Sequence, residues 1–326
     1  MNIRLQPFIR RILLTLLPAV LLLCTLNACG AKKQNRVVIG YQNGVAYAPL
    51  LIMKEHGILA ERLPDTEIEW QQFNGPTPIR EAMVNGSVTF GFMGISPVLI
   101  GIDNGMPWKY FTGLSSNRVA LVANRPDFKT LHDLKPEERI AVLSPGCTQH
   151  VLLSMLAKKQ LGDARLLDTQ LVSLSHPDAM NALLSGTEIA MHVTTPPYLE
   201  EELRQGMVLV AEGEEIMGEP FTFICGVAMT DYVAQNEETA LAFREALSEA
   251  IAYINANTKD ACKELAPFFD TDAGTLYEQM TYNGTIYGTE LNGIPAMSLA
   301  MRETGFIETV PDSTDLFFFP PDGDAP

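Results

Sequence analysis

The sequence predicts an α/β protein that is built from two similar lobes. A short pattern occurs twice, at residues 82–97 and again at residues 182–197. Each copy has the features of a helix end, a glycine, a short apolar strand and a loop that contains proline. Gly86 and Gly186 stand where a helix end favours positive φ. The alternative is coincidence, since this order of elements is common in α/β proteins.

The pattern extends upstream of both copies, which makes coincidence a weaker explanation. Apolar residues 37–40 lead through a glycine loop to a helix expected over residues 46–56. Apolar residues 140–143 lead through a second glycine loop to a helix expected over residues 148–160. A glycine follows each helix. We therefore predict two related lobes that face each other across a cleft, where small molecules commonly bind.

The first thirty residues have the composition of an export signal. Three arginines precede an apolar run over residues 12–26. This run is shorter than a transmembrane helix normally requires. Leu26-Asn27-Ala28 before Cys29 resembles a bacterial lipobox, although Asn27 fits its middle position imperfectly. We expect residues 1–28 to be a lipoprotein signal peptide and residues 29–35 a tether that begins at a lipidated Cys29. An ordinary secretory signal or an uncleaved anchor is the alternative.

We expect the mature chain to be strongly acidic. We also expect it to lie outside the cytoplasm, where its lipid would anchor it to the membrane. The full sequence has 23 Lys and Arg against 39 Asp and Glu, a net charge of −16. Loss of the signal peptide would remove three arginines and no acids. Such a surface disfavours nucleic acid as a partner. We interpret acid-rich stretches such as residues 200–202 as solvated faces, and we expect a monomer.

Cysteine and histidine usage indicates neither a disulfide framework nor a metal site. Cys147, Cys225 and Cys262 remain in the mature chain besides Cys29. We expect them to be packed thiols, with one disulfide as the alternative. The histidines show no metal-ligand spacing relative to one another. We therefore predict no bound metal and no cofactor.

The chain is expected to cross twice between the lobes. Strand-like residues 119–123 and 221–229 are predicted to pair in antiparallel fashion and to form a hinge. The first lobe is assigned to residues 36–121 and 226–326, and the second lobe to residues 122–225.

The last hundred residues are predicted to be mostly helical. Apolar residues at positions 243, 246, 247, 250, 251 and 254 have helical spacing and form one face. Asn236 is placed to cap this helix at its N-terminus. The later segments 276–280 and 295–304 are expected to return to the first lobe.

Several short motifs, in their order and spacing, resemble those of a known family. They are Gly44-Val45-Ala46-Tyr47-Ala48-Pro49-Leu50, Glu55-His56-Gly57, Ala82 to Gly86, Gly94-Ile95-Ser96-Pro97 and Thr195-Pro196-Pro197-Tyr198-Leu199. With the lobe partition, they resemble solute-binding proteins of ABC importers for nitrate, taurine and sulfonates, a group that also includes thiamine-pyrimidine binders. The resemblance covers nearly the whole mature chain.

The resemblance implies a two-lobed periplasmic-binding-protein type II architecture with two hinge strands, which closes on its ligand. It also implies a permease and an ATPase subunit as partners. It does not identify the ligand.

Candidate ligand-binding residues lie in loops that follow the carboxyl ends of strands, where open α/β sheets bind ligands. Most of these loops run into helix N-termini, whose unpaired amides and dipole favour negative charge. In the first lobe these loops are residues 42–44, 74–77 and 94–96, and the candidates are Asn43, Gly44, Tyr47, Phe73, Asn74, Thr77, Gly94, Ile95 and Ser96. The second-lobe candidates are Ser144, Gly146, Cys147, Thr148, Gln149, His192, Thr194, Thr195 and Tyr198, with the loop at residues 175–176.

Each candidate also has a structural alternative. A single hydroxyl could be an N-cap, and a single aromatic ring could belong to the core or the rim. His192 occupies the place of Phe92 in the other copy, which indicates either a ligand contact or a structurally hydrogen-bonded histidine.

The predicted loops contain no lysine or arginine. A phosphate or dicarboxylate site would be expected to use arginine. We therefore predict a monoanionic ligand such as a sulfonate, or a neutral polar one such as a pyrimidine. The alternatives are a biosynthetic enzyme of the same architecture, of the pyrimidine synthase or menaquinone-pathway type, and a sensor subunit. The sequence shows no recognisable set of a nucleophile, a general base and a third residue that orients the base, which disfavours an enzyme.

Overall fold

A computed structural model describes residues 35–186, 188–281 and 285–319 of the chain. The predicted signal peptide, Cys29 and all of the predicted tether except Asn35 lie outside these residues. Within the described ranges, no helix combines the length and the apolarity that a bilayer span requires.

The part of the chain that the structure describes contains two β-sheets, one in each lobe. The first sheet contains β1 (Asn35–Gln42), β2 (Thr66–Phe73), β3 (Phe90–Gly94), β4 (Trp108–Ser116), β10 (Ile224–Met229) and β11 (Ile286–Tyr287). The second contains β5 (Ala120–Ala123), β6 (Arg139–Val142), β7 (Leu171–Ser173), β8 (Ile189–Thr194) and β9 (Val208–Glu212).

Five strands of the first sheet match the five strands of the second in order and direction, and β11 adds a sixth at the edge of the first. This match confirms the predicted relationship between the lobes. The strand orders of the two sheets are β11-β4-β10-β3-β1-β2 and β7-β6-β8-β5-β9. In the first, β1 is parallel to β2 and β3, and β10 is antiparallel between β3 and β4. In the second, β6 is parallel to β7 and β8, and β5 is antiparallel between β8 and β9. Because both lobes repeat the same arrangement, the sequence repeat reflects structure and not coincidence.

Helices cover the sheets and connect their strands. The lobe helices are α1 (Ala48–Glu55), α2 (Ile58–Arg62), α3 (Pro76–Val84), α4 (Ile95–Asp103), α5 (Thr148–Leu161), α6 (His176–Ser185), α7 (Tyr198–Arg204) and α8 (Gly213–Met217). The C-terminal helices are α9 (Thr230–Gln235), α10 (Glu237–Ala256), α11 (Thr258–Leu265), α12 (Ala273–Thr281), α13 (Ile294–Glu303) and α14 (Ser313–Leu316). Gly186 has φ of 66° directly after α6, as the repeat predicts.

The predicted hinge pairing between residues 119–123 and 221–229 is wrong. Strand β5 pairs with β8 and β9, whereas β10 pairs with β3 and β4. The predicted lobe boundaries therefore shift by a few residues: Ala120 and Leu121 belong to the second sheet, and Ile224 and Cys225 belong to the first. The chain crosses between the lobes in the short segments 117–119 and 218–223. Sequence could not decide this point, because both strands are almost wholly buried and their apolar composition fits either sheet.

Helix α10 carries the core of the first lobe on the predicted apolar face. The ring of Phe243 lies 4.8 Å from that of Phe90, 5.6 Å from Phe92 and 5.3 Å from Phe111, measured between centroids. Strand residue Gly226 faces this cluster, and a Cβ there would lie 2.7 Å from the Phe111 ring. Glycine is required at that position because the aromatic rings occupy the space of a side chain.

Two predictions about the C-terminal region have different outcomes. Helix α13 packs on α4, and α11 packs on α1, so the C-terminal segments do return to the first lobe. Asn236 does not cap α10 through its side chain, however. Its side-chain amide donates instead to the carbonyl of Tyr232 at 2.9 Å, because α9 ends only one residue earlier and leaves that carbonyl within reach.

Candidate functional site

A cavity of about 570 Å³, which includes its open mouth, lies between the two lobes. Its walls come from the loops after β1 and β3 of the first lobe, from the loop before α5 and the segment before α7 of the second, and from a crossing segment. The lining residues are Gln42, Asn43, Gly44, Ala46, Tyr47, Pro76, Gly94, Pro97, Leu143, Cys147, Thr148, Gln149, His176, Thr195, Pro196, Tyr198, Phe223 and Ile224.

Half of the predicted site residues line this cavity. They are Asn43, Gly44, Tyr47, Gly94, Cys147, Thr148, Gln149, Thr195 and Tyr198, and His176 from the predicted loop at residues 175–176 lines it as well. Their position follows from the fold, because the strands of each sheet direct their carboxyl ends toward the opposite lobe. Contact of these residues with a ligand remains a prediction.

The other predicted residues lie near the cavity but outside its lining, for several reasons. Asn74 and Thr77 are exposed at the start of α3, and Phe73 lies against Gly40. Ile95 and Ser96 form the first turn of α4, and their side chains are buried in the first lobe. Ser144 and Gly146 shape the turn before α5, and His192 and Thr194 are buried behind the wall. Successive side chains on a helix turn or a strand point in different directions, so neighbours in a loop do not all face one space.

Sequence reasoning missed several lining residues. They are Ala46, Pro97, Leu143, Pro196, Phe223 and Ile224. Gln42 and Pro76 also line the cavity, and both lie in loops that the sequence indicates, residues 42–44 and 74–77. Phe223 and Ile224 could not have been found, because their place at the cavity depends on the crossing segment that the strand prediction misassigned.

A tight turn brings the N-terminus of α5 to the cavity. The Cys147 amide donates to the Ser144 carbonyl at 3.2 Å, with Pro145 and Gly146 between them. Gly146 has φ of 74°, which favours glycine. Its amide donates to Nδ1 of His150 at 3.1 Å. This turn fixes which amides of the first turn of α5 face the other lobe.

The two lobes touch beside the cavity. A Cβ at Gly94 would lie 2.6 Å from Oγ1 of Thr148, and a Cβ at Gly146 would lie 2.8 Å from Cδ1 of Ile100. The hydroxyl of Thr148 is buried and has no hydrogen-bond partner in the described protein, and the same holds for Ser96 and Ser144. Buried hydroxyls are normally satisfied, and of these three only Thr148 lines the cavity, so its hydroxyl is a donor available to a bound molecule or to water.

A buried row of side chains leads from the interior of the second lobe to the cavity. Oε1 of Glu202 lies 2.6 Å from Nδ1 of His192, and Nε2 of His192 lies 3.0 Å from Nδ1 of His176. Nε2 of His176 lies 3.3 Å from the side-chain nitrogen of Gln149. Tyr198 stacks on the His176 ring with centroids 5.5 Å apart. Glu202 is fully buried, so the interpretation of residues 200–202 as a solvated face is wrong for this residue.

Burial drives all three ionisable groups of this row toward their neutral forms. It raises the pKa of Glu202 to about 8, against the effect of the Thr194 hydroxyl. It lowers the pKa of His192 to about 3. Burial, and after it the neighbouring His192, lowers the pKa of His176 to about 3. A charged form would lose hydration that the apolar interior does not replace.

We expect these groups to give the free energy of unfolding a maximum near pH 6.5. The unfolded chain binds protons at both histidines below about pH 6.5 while the native state does not, so stability rises with pH from about 3 to 6.5. In the native state Glu202 keeps its proton up to about pH 8, whereas in the unfolded chain the carboxyl releases it above its ordinary pKa of 4.5. The contribution of Glu202 to the free energy of unfolding therefore decreases with pH over this range. Above pH 6.5 the carboxyl dominates, and stability should fall by up to about 1.4 kcal/mol per pH unit.

Urea unfolding at pH 5.5, 6.5 and 7.5 measures this profile. The isosteric Glu202→Gln variant should lose the decline between pH 6.5 and 7.5. Parallel profiles for the two proteins would contradict the assignment.

Comparison with known proteins places the chain in a family. The sequence model of the NMT1-like family matches residues 30–268, which is most of the chain. The chain belongs to the NMT1-like family. This confirms the resemblance to the nitrate/taurine/sulfonate binding group.

Two curated relatives of this NMT1-like protein carry the name "Putative aliphatic sulfonates-binding protein". The one from Escherichia coli (strain K12) is 27% identical over 211 residues, which are 64% of each chain. The one from Bacillus subtilis (strain 168) is 22% identical over 272 residues, 80% of this chain and 79% of the relative. The match to the Escherichia coli relative thus spans somewhat less than two thirds of that protein.

Solved structures share the fold. The periplasmic aliphatic sulphonate binding protein SsuA from Escherichia coli has a TM-score of 0.70 at 22% identity, with 90% of this chain and 94% of that chain covered. The alkanesulfonate-binding protein SsuA from Xanthomonas axonopodis pv. citri, bound to MOPS, has a TM-score of 0.68 at 21% identity over 86% and 96%. The nitrate-binding protein NrtA from Synechocystis PCC 6803 has a TM-score of 0.68 at 16% identity over 87% and 84%. The predicted two-lobed α/β architecture is therefore confirmed.

Proposed function

We propose that the protein is the extracytoplasmic solute-binding component of an ABC importer and holds a small monoanion of the sulfonate class between its lobes. One observation carries the proposal. Among the described lining residues, amides, hydroxyls and an imidazole face the cavity, but no Lys, Arg, Asp or Glu side chain does. The volume of the cavity is within the range of small-molecule sites.

The chemistry of this lining selects for low charge. A phosphate monoester carries nearly two charges and would have to be desolvated without a paired arginine, which is costly. A sulfonate spreads one charge over three oxygens, which the amides at the first turns of α4 and α5 can meet. The relatives named for aliphatic sulfonates support the same class. A neutral heterocycle stacked on Tyr47 or Tyr198 is the remaining possibility within this proposal.

Ligand-induced stabilisation tests the proposal. Ethanesulfonate at about one hundred times its Kd should raise the free energy of unfolding by about 2.7 kcal/mol. Ethyl phosphate and succinate at the same concentration should have far smaller effects. Thr148→Val removes the unpartnered hydroxyl at the cavity and should weaken ethanesulfonate binding about tenfold. Thr258→Val is the matched control, since the Thr258 hydroxyl at the start of α11 donates to the Ile254 carbonyl of α10, far from the cavity lining. Stabilisation by ethyl phosphate alone would overturn the proposal.

An enzyme of the same architecture is the second candidate, because the Cys147 thiol lies at the cavity beside the N-terminus of α5. A nucleophilic cysteine needs a depressed pKa. Burial instead raises the pKa of the Cys147 thiol, although nearby backbone amides oppose this. Binding is therefore favoured over catalysis. Recovery of the bound compound unchanged after prolonged incubation distinguishes the two.

We further propose that Cys29 carries a lipid anchor and that the monomeric protein delivers its solute to a permease with an ATPase subunit. The lipobox-like sequence before Cys29 supports the anchor. Mass spectrometry of the mature protein should show an acylated Cys29 as the first residue. Cleavage at another position that leaves a free thiol would contradict the anchor and leave the binding role intact.

A further inference from the structure

Glu202, His192 and His176 form a hydrogen-bonded chain, which we call the relay, between an apolar interior and the cavity. Helix α7, which carries Glu202, packs on β5 and α6. A cluster of buried apolar side chains lies there, formed by Ala120, Val122, Ala179, Leu183 and Leu199. The outer end of the relay, His176, lines the cavity together with Gln149.

The geometry of the relay permits two hydrogen-bond directions. With a proton between Oε1 of Glu202 and Nδ1 of His192, His192 donates through Nε2 to Nδ1 of His176. A neutral His176 then carries its own proton on Nε2, at the cavity. Without that proton, Nδ1 of His192 donates to the carboxylate and every bond in the chain reverses. Nε2 of His176 then presents a lone pair to the cavity.

The contact with Gln149 is compatible with both directions. Its side-chain nitrogen can donate to the lone pair of His176 at the observed 3.3 Å. Rotation of the amide by 180° places its oxygen there instead, and this oxygen can accept from Nε2–H. Gln149 therefore adapts to the relay and does not fix its direction, and in the ligand-free protein its oxygen takes the place at Nε2–H that an anionic solute would occupy.

We infer that Glu202 is a positioning residue that acts through His192 to make His176 a hydrogen-bond donor toward an anionic solute in the cavity. The inference rests on the proposed function for the identity of the solute. Loss of the relay proton adds a negative charge and converts the donor into an acceptor, and both changes oppose an anion. A sulfonate does not titrate between pH 6 and 9.5, so any change in its affinity over this range belongs to the protein.

Other charged or titratable side chains lie near the relay but are not members of its hydrogen-bonded chain. Arg118 pairs with Glu212, and Arg204 pairs with Glu201 at 2.6 Å. On α6, Asp178 accepts from the Ser175 hydroxyl at 2.5 Å. Burial raises the pKa of the Glu200 carboxyl, and the neighbouring Glu202 adds a smaller effect in the same direction. Tyr198 stacks on His176, and burial raises the pKa of its phenol, which keeps the ring neutral.

Histidine ¹⁵N NMR of the ligand-free protein tests the relay without any solute. Between pH 6 and 9.5, His176 and His192 should change tautomer together, with one shared midpoint. His176 should carry its proton on Nε2 at the acidic end and on Nδ1 at the basic end. In Glu202→Gln neither ring should titrate in this range. Independent behaviour of the two rings, or no change of tautomer in the wild type, would overturn the inference.

The affinity for ethanesulfonate supplies the second readout. In the wild type the affinity should decrease up to tenfold per pH unit above the NMR midpoint, whereas in Glu202→Gln it should be constant. Glu264→Gln is the matched control, since Glu264 lies 2.6 Å from Nε2 of His56 in a comparable pair on the first lobe. This variant should keep the wild-type pH profile.

The two readouts separate the relay from the proposed function. Coupled tautomers without ethanesulfonate binding would retain the relay and refute the sulfonate. Binding with a flat pH profile and uncoupled rings would retain the proposed function and refute the relay.

Discussion

Substitution of Gly146 by proline should weaken solute binding by about a hundredfold or more. Proline requires φ near −65°, whereas Gly146 has φ of 74°. Proline also lacks the amide that donates to Nδ1 of His150. The combined cost of about 3 kcal/mol would move the turn before α5 and withdraw the Thr148 hydroxyl and nearby amides from the cavity. Isothermal titration with ethanesulfonate, at a pH near 6.5, measures the loss.

Two alanine variants separate binding from backbone strain. Gly146 and Gly162 stand at opposite ends of α5, with φ of 74° and 84°. An alanine costs each about 1–2 kcal/mol of strain. Only at Gly146 would the new methyl group meet the other lobe, at Cδ1 of Ile100, since nothing lies within 4 Å at Gly162. Gly146→Ala should therefore reduce affinity and Gly162→Ala should not. Equal affinities would refute the role of this lobe contact.

Replacement of Phe243 by alanine should destabilise the protein by about 3–5 kcal/mol, the largest effect on stability that we expect. Phe243 is fully buried and contacts three other phenylalanine rings. Its loss would leave a cavity that the strands around Gly226 cannot fill, because both neighbouring strands are held in the sheet. Urea unfolding followed by circular dichroism measures the change.

Leu241 on the same helix provides the control. Its side chain is 40% exposed, so Leu241→Ala should cost less than about 1 kcal/mol. A similar loss for both variants would show that helix formation, and not ring packing, determines the effect of Phe243→Ala.

The architecture could be predicted because its signals are local. Gly86 and Gly186 have positive φ at equivalent helix ends, and α10 buries the face that its spacing predicts. Strand pairing could not be predicted where it mattered. Strands β5 and β10 lack the alternation of polar and apolar residues that would fix a neighbour, and the competition between partners is decided by the whole fold.

The site was predictable to the extent that it follows strand ends. Asn43 and Thr148 were found in this way, since the topology of an open sheet determines where such loops meet. The relay was not found, because Glu202 belongs to a run of three acids that has the composition of a solvent-exposed helix face. Its burial depends on which side of α7 packs against β5 and α6, and a seven-residue helix gives too little pattern to decide this.

The position of β10 between β3 and β4 also determines the order in which the protein can mature. The second lobe is one unbroken stretch of chain, and its sheet is complete once β9 has been made. The first sheet lacks its middle strand until residues 224–229 have been synthesised. The edges of β3 and β4 that pair with β10 therefore remain unpaired while the whole second lobe is made. Open apolar edges of this kind promote aggregation. A chain truncated before residue 224 should therefore fold its second lobe but not its first, and it should aggregate through the unpaired edges of β3 and β4.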